Sequence, residues 1–153
     1  MGAPISISKI MSSKVVSVTL DDKLSTVKEI FDNLKFHHVL VVDEGKLLGV
    51  VSDRDLLKAL SPNVGSQYES EKDLASLNKR VHQIMTRKPV VLPAHASVDD
   101  AIHMFNTHSV SCLPVVDLQN RPVGLVSWRD ILKNLRINPS SAAAPENTKP
   151  DSP

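Results

Sequence analysis

The chain is short of four things, and each shortage removes a class of protein. It has one cysteine, Cys112, so no intrachain disulfide can form; a lone thiol fits a reducing compartment. Aromatic residues make up 3% of the chain, and 18 basic against 17 acidic residues leave a net charge of +1 with no basic run. The electrostatic footprint of a nucleic-acid binder is therefore missing. The longest strictly aliphatic stretch, Val39 to Val42, is far below a membrane span, and the first residues lack the apolar core of a secretory signal. A cytoplasmic protein without membrane or nucleic-acid partners is expected. What remains, 153 residues with 41% hydrophobic and 23% charged, describes an ordinary soluble globular chain with one compact body.

That body is built from a duplication. Ile10-Met11-Ser12 followed by Lys14-Val15-Val16 returns as Ile84-Met85-Thr86 followed by Lys88-Pro89-Val90. Gly49-Val50-Val51-Ser52-Asp53-Arg54-Asp55-Leu56-Leu57 returns as Gly124-Leu125-Val126-Ser127-Trp128-Arg129-Asp130-Ile131-Leu132. Ile84 follows Ile10 by 74 positions and Gly124 follows Gly49 by 75, so one residue is inserted near Gln119 to Arg121. Repetition at a fixed period marks a duplicated structural unit. A unit this small buries little apolar surface alone, so the copies are expected to share a core and to leave matched clefts where they meet.

Within copy one, Val15, Val16 and Val18 read as a strand, and Leu24, Val27, Ile30, Phe31 and Leu34 follow helical spacing. Val39 to Val42 and Leu47 to Val51 read as two strands joined through Asp43-Glu44-Gly45-Lys46, a tight hairpin turn with Gly45 free to take positive φ. Leu56, Leu57 and Leu60 begin a second helix. Copy two repeats the order with a strand at Val90 to Leu92, a helix stripe at Val98, Ala101, Met104 and Phe105 capped by Ser97, a hairpin of Leu113 to Val116 with Val123 to Val126, and a helix at Ile131, Leu132 and Leu135. Ser61 to Ser70 reads as a linker and Asp73 to Gln83 as a short helix. The fold class is α/β (α+β), with two pseudo-symmetric β-α-β-β-α repeats at 1–62 and 80–137, a linker at 63–79 and a disordered tail at 138–153.

The chemistry concentrates at one junction in each copy. Ser52-x-x-Asp55 and Ser127-x-x-Asp130 stand where a buried strand becomes a helix. One reading is structural, the serine capping the helix and the aspartate sitting at the positive end of its dipole. The other is functional: amides and the serine hydroxyl meet a phosphate while the aspartate accepts from both ribose hydroxyls. A duplicated cap is duplicated under either reading, and both stand.

In order, spacing and duplication, Ile-Met-Ser/Thr, the Val strand, the helix, Leu113-Pro114-Val115-Val116-Asp117 and Gly-Leu-Val-Ser-x-Arg-Asp resemble the tandem cystathionine-β-synthase (CBS) domain pair over about residues 8 to 136. The resemblance implies two units packed through their sheets into a Bateman module that binds AMP, ADP, ATP, NAD or S-adenosylmethionine as a regulatory ligand, with no catalysis and no required cofactor. Carried over, it implies that Asp55 and Asp130 hold ribose, that Ser52 and Ser127 face phosphate or ribose, and that main-chain groups near Val16 and Val90 read the adenine edge between walls of Ile10, Val15, Ile84 and Val91. His37 and His38 occupy positions that often supply basic groups for phosphate, where copy two has Ser111 and Cys112; Arg54 and Arg129 add charge nearby. Leu40 stands where the family usually has proline, as at Pro114, so the bend of that strand is expected to be altered in copy one.

The other polar residues carry less. The six histidines show no ligand spacing with a third partner, and Cys112 reads as a small buried hydrophobe with no base fixed beside it. Trp128, replacing Asp53 between the copies, reads as an interface or packing residue. The leading expectation is a stand-alone module that senses an adenosyl ligand, dimerises by two-fold pairing and signals to an effector protein. The alternative is a ligand-free dimerisation or interaction scaffold.

Overall fold

The computed structural model describes residues 3–136, so the expected tail lies outside the described residues. Each copy forms the expected order. In copy one, β1 (Ser17–Val18) leads to α1 (Leu24–Asn33), the hairpin β2 (His38–Asp43) and β3 (Lys46–Ser52), and α2 (Asp53–Ala59). In copy two, β5 (Leu92–Pro93) leads to α4 (Val98–Thr107), the hairpin β6 (Cys112–Val116) and β7 (Pro122–Ser127), and α5 (Trp128–Asn134). The first hairpin turns through Glu44 at φ 49° and Gly45 at φ 79°, two successive left-handed residues that match the twist of the flanking strands.

The hairpin strands are apolar through their middles because both of their faces are covered there. Val39, Val41 and Val51 pack with Leu24, Val27 and Leu56 under the helices, whereas Leu40, Leu47 and Val50 turn to the opposite face and meet Cys112 and Val116 of the second sheet. The two sheets are thus packed face to face, with a helical layer outside each. At one end Asn120, in the region of the inserted residue, accepts from the Leu47 amide at 2.9 Å and donates its side-chain amide to the Leu47 carbonyl at 3.0 Å.

The copies also exchange their leading segments. Ile7 belongs to copy one by sequence but is fully buried in the core of copy two, among Leu92, Ala101, Leu113 and Val126; Val81 sits in the same way in the core of copy one. The Ile7 amide donates to Ala96 O at 2.9 Å and the Val81 amide to Asp22 O at 2.9 Å, a bond and its symmetry mate. Further along, β4 (Thr86–Arg87) adds to the edge of β3 and Ser12 bridges Leu125 on β7. The recurring glycines permit this approach. A Cβ on Gly49 would lie 2.7 Å from the Thr86 carbonyl oxygen, and one on Gly124 would collide with the Met11 side chain. The repeated Ile-Met-Ser/Thr and Gly-x-x-Ser blocks are therefore each other's partners across the two copies.

Two expectations need correction. The helix expected over Asp73 to Gln83 is broken into α3 (Glu71–Ala75) and 3-10 turns at Ser76–Asn78 and Val81–Gln83. Lys79 and Arg80 stay extended between them, because the Lys79 carbonyl accepts from Leu24 N at 2.9 Å and Arg80 bridges Lys23. The first strands are also shorter than their valine runs: only Ser17 and Val18 ladder with β2, and in copy two the ladder starts at Leu92 rather than Val90.

The exchange makes a direct prediction. Ile7→Ala removes a side chain of copy one from the core of copy two, and should cost about 2–5 kcal/mol in urea denaturation, through a single transition in which both copies unfold together. A loss below about 1 kcal/mol would mean that the leading segment is not an integral part of that core.

Candidate functional site

The strand-to-helix junctions form as capping boxes. Ser52 Oγ accepts from the Asp55 amide at 3.0 Å, and Asp55 Oδ2 accepts from the Ser52 amide at 2.9 Å. Ser127 and Asp130 repeat this at 3.2 and 2.8 Å. The structural reading of these pairs is thus realised, and it orients rather than consumes the carboxylate: the cap occupies Oδ2 and leaves Oδ1 of each aspartate.

Both junctions open onto clefts, and each cleft is made by both copies. Asp55 and Ser52 of copy one face Thr86, Lys88, Pro89 and Val90 of copy two across a cleft of about 250 Å3, closed on its far side by Ser109 to Cys112 and Pro114. Lys88 holds a left-handed backbone, φ 49°, at this wall. Asp130 and Ser127 of copy two face Ser12, Lys14 and the Lys35 to His38 segment of copy one across a cleft of about 470 Å3, which Arg54, Trp128, Arg129 and Lys133 also line. His38, Ser52 and Ser111 line both, so the clefts adjoin there. At their junction His38 Nε2 and Ser111 Oγ are hydrogen-bonded at 3.0 Å, tying one copy to the other.

Of the residues expected at the site, Ser52, Asp55, Val90 and His38 meet in the Asp55 cleft, and Ser52, Ser127, Asp130, His37, His38, Arg54 and Arg129 meet in the Asp130 cleft. Val16 lines neither. It packs against the core of copy one, and its carbonyl accepts from the Leu40 amide at 2.9 Å. Pro114, at the position of Leu40, has no N–H to give, so the carbonyl of Val90 receives no such bond. The proline that differs between the copies thus decides which leading strand is held tight in its sheet. Ile10 and Ile84 pack into the exchanged cores, and Val15 and Val91 between the sheets, rather than lining the clefts.

The sequence reading passed over Lys14, Lys35, Phe36, Lys88 and Lys133, all of which line the clefts. Lys14 and Lys88 stand inside the repeated leading block, which was the available signal. Lys35 and Lys133 carry no pattern of their own.

Local electrostatics divide the groups. His37 Nδ1 lies 3.0 Å from Asp53 Oδ2. Burial holds the pKa of His38 below its ordinary value, opposed by the nearby Asp53 carboxylate. Burial, with the charge of Asp55 adding to it, pushes the Cys112 thiol up to about 12. Arg129 Cζ lies 6.0 Å from the centroid of the half-exposed Trp128 ring. Among the described residues no group of three or more His, Cys, Asp or Glu converges as a metal site, and no helix is long and apolar enough to cross a membrane.

The family model of the CBS domain matches residues 7–62 and 81–137. A CBS domain-containing protein of Dictyostelium discoideum is 30% identical over 128 residues, 82% of this chain and 88% of that protein. Inosine-5'-monophosphate dehydrogenase of Helicobacter pylori is 34% identical over 115 residues, 73% of this chain but 21% of the enzyme. Among solved structures, the CBS domain pair of protein MJ0100, in complex with 5'-methylthioadenosine and S-adenosyl-L-methionine, superposes with a TM-score of 0.70 at 26% identity, covering 86% of this chain and 95% of that one.

Two measurements test this electrostatic picture. Iodoacetamide at about pH 8 should label Cys112 at least ~100-fold more slowly in the folded protein than in urea, because so little thiolate forms; equal rates would place the thiol in water. His38 is disfavoured as a cation in the fold, so the stability it contributes is present above 6.5 and is lost as pH falls. The melting temperature should drop from about pH 7 to about pH 5.5, and less steeply in His38→Gln; equal slopes would show that this imidazole is not the titrating group.

Proposed function

The chain belongs to the CBS domain family as a tandem pair, with one match over each repeat, and on that premise we propose that it is a regulatory module binding an adenosyl ligand where its two copies meet. One observation carries this reading. Asp55 of copy one and Val90 of copy two, which lie far apart in sequence, line a single cleft. A nucleoside seated there places its ribose diol against the free oxygen of Asp55, and its base edge against the main chain at Val90, whose carbonyl is not taken by a strand partner. Ser52, Thr86 and Ser111 supply further polar contacts, and Val50, Pro89, Val110 and Pro114 the apolar walls. Small-molecule sites have this composition, a mostly apolar concavity with a few convergent polar groups. The relative with bound 5'-methylthioadenosine and S-adenosylmethionine supports an adenosyl ligand as the class.

The ligand acts here as a signal rather than a substrate: the Cys112 thiol is held protonated, and although His38 bonds Ser111 at 3.0 Å, among the described residues no carboxylate is hydrogen-bonded to the His38 ring to orient it as a base. Binding draws together segments of both copies, so occupancy stiffens their relative placement and an effector protein reads that state. The module works in the cytoplasm. A two-fold dimer belongs to the same reading, because Leu57 on α2 and Leu132 on α5 are 73% and 56% exposed at equivalent positions and offer a self-complementary apolar face. Those leucines also favour the second reading, a dimerisation scaffold whose clefts take no ligand.

Asp55→Ala separates the two. It should lower stability by about 1 kcal/mol through the lost cap. It should also abolish the rise in melting temperature that adenosine, AMP, ATP or S-adenosylmethionine produces in the native protein, on the order of 2.7 kcal/mol at a hundred times Kd. An unshifted melting temperature of the native protein with all four ligands would leave the scaffold.

A further inference from the structure

The two clefts are not equivalent, and their differences are complementary. The Asp55 cleft has a main chain free to read a base: Pro114 withholds an N–H and Val90 lines the wall. In the other half the matching carbonyl, Val16 O, is bonded to Leu40 N at 2.9 Å, and Val16 lines no cleft. The Asp130 cleft has instead a concentration of positive charge. Lys14, Lys35, Arg54, Arg129 and Lys133 line it against two carboxylates, Asp53 and Asp130. Asp53 is paired with His37 and Asp130 is engaged by Ser127, whereas among the described residues none of the five cations has an ion-pair partner. Five exposed cations without ion-pair partners along one concave surface favour a multiply charged anion. The two clefts adjoin at His38, Ser52 and Ser111, which line both, and the 3.0 Å hydrogen bond between His38 and Ser111 is the contact that a ligand spanning them would replace.

From this asymmetry, and resting on the adenosyl reading above, we propose that each chain binds one nucleoside di- or triphosphate across both clefts, its base and ribose in the Asp55 cleft and its phosphate chain passing His38 and Ser111 into the lysine- and arginine-lined Asp130 cleft. The second cleft is then a polyphosphate subsite and not a second nucleoside site. The two volumes, about 250 and 470 Å3, accommodate the two parts of such a ligand. A sulfonium ligand such as S-adenosylmethionine would bring positive charge towards these cations and is selected against. His38 becomes part of the path: it is neutral near pH 7 because burial depresses its pKa, and it offers a hydrogen bond there rather than a charge.

The single tryptophan, Trp128, lines the polyphosphate subsite and reports on it directly. Titration calorimetry and Trp128 fluorescence with ATP, AMP, adenosine and S-adenosylmethionine provide the test. ATP should bind once per chain, at least about tenfold tighter than AMP or S-adenosylmethionine, and should change the fluorescence where adenosine does not. Lys35 and Lys133 are exposed, so the double variant Lys35→Ala/Lys133→Ala keeps the fold. It should weaken ATP by about tenfold or more and leave adenosine within about twofold, and added salt should mimic it. Two adenosyl ligands per chain, equal affinities for AMP and ATP, or equal effects of the variant on ATP and adenosine would each overturn this proposal while leaving the adenosyl reading intact. Failure of all four ligands to bind would overturn both.

Discussion

Everything in this molecule depends on the mutual exchange of two leading segments. Ile7 and Val81 are each buried in the core that the other copy builds, and the segments behind them run along the other copy's sheet edge over Gly124 and Gly49. Neither copy has a complete core or a complete sheet without its partner, which is how two units of this size reach stability in one body. The exchange also creates the clefts. By carrying Ser12 and Lys14 to the Asp130 junction and Thr86 to Val90 to the Asp55 junction, it walls each helix start with a strand entrance from the opposite copy.

Fold and site share their atoms at those junctions. The carboxylate that closes each capping box is bonded through one oxygen to the serine amide behind it, and this fixes the direction of the other. A side chain oriented by the needs of a helix end is already preorganised for a ligand, and its rotamer freedom has been given up on folding rather than on binding. The cap and the proposed ligand contact are therefore compatible, since the cap uses only one oxygen of each carboxylate.

Duplication sets up two like sites, and divergence at a few positions makes them unlike. Leu40 against Pro114 decides whether a leading strand is hydrogen-bonded down to its sheet. His37 and His38 against Ser111 and Cys112 place imidazoles on one side and small groups on the other, and these meet at the His38 to Ser111 bond. Asp53 against Trp128 exchanges a carboxylate paired to His37 for an indole beside Arg129. Each change is small, yet together they leave a free main chain and small groups in one cleft and the His37 imidazole and an indole in the other.

Local pattern was enough to read the elements, because strand and helix periods, the Glu44-Gly45 turn and the Ser-x-x-Asp caps are written within a few residues of the atoms they organise. The repeat was legible for the same reason, and with it the pairing of like junctions. The exchange was not. The bonds that hold Lys79 and Arg80 extended come from Leu24 and Lys23, residues no local window contains, and they break a segment whose own composition favours helix. Part of the clefts' charge was equally hidden: Arg54 and Arg129 belong to the repeated junctions, but Lys35 and Lys133 carry no pattern of their own and only packing gathers them. The sequence by itself determined the duplication, the element order and the two capped junctions, all set by short-range sterics and hydrogen bonding. Tertiary structure alone decided which copy's strand faces which junction, and that Val16 is closed while Val90 is open, because those outcomes depend on contacts between residues brought together only when the two sheets pack.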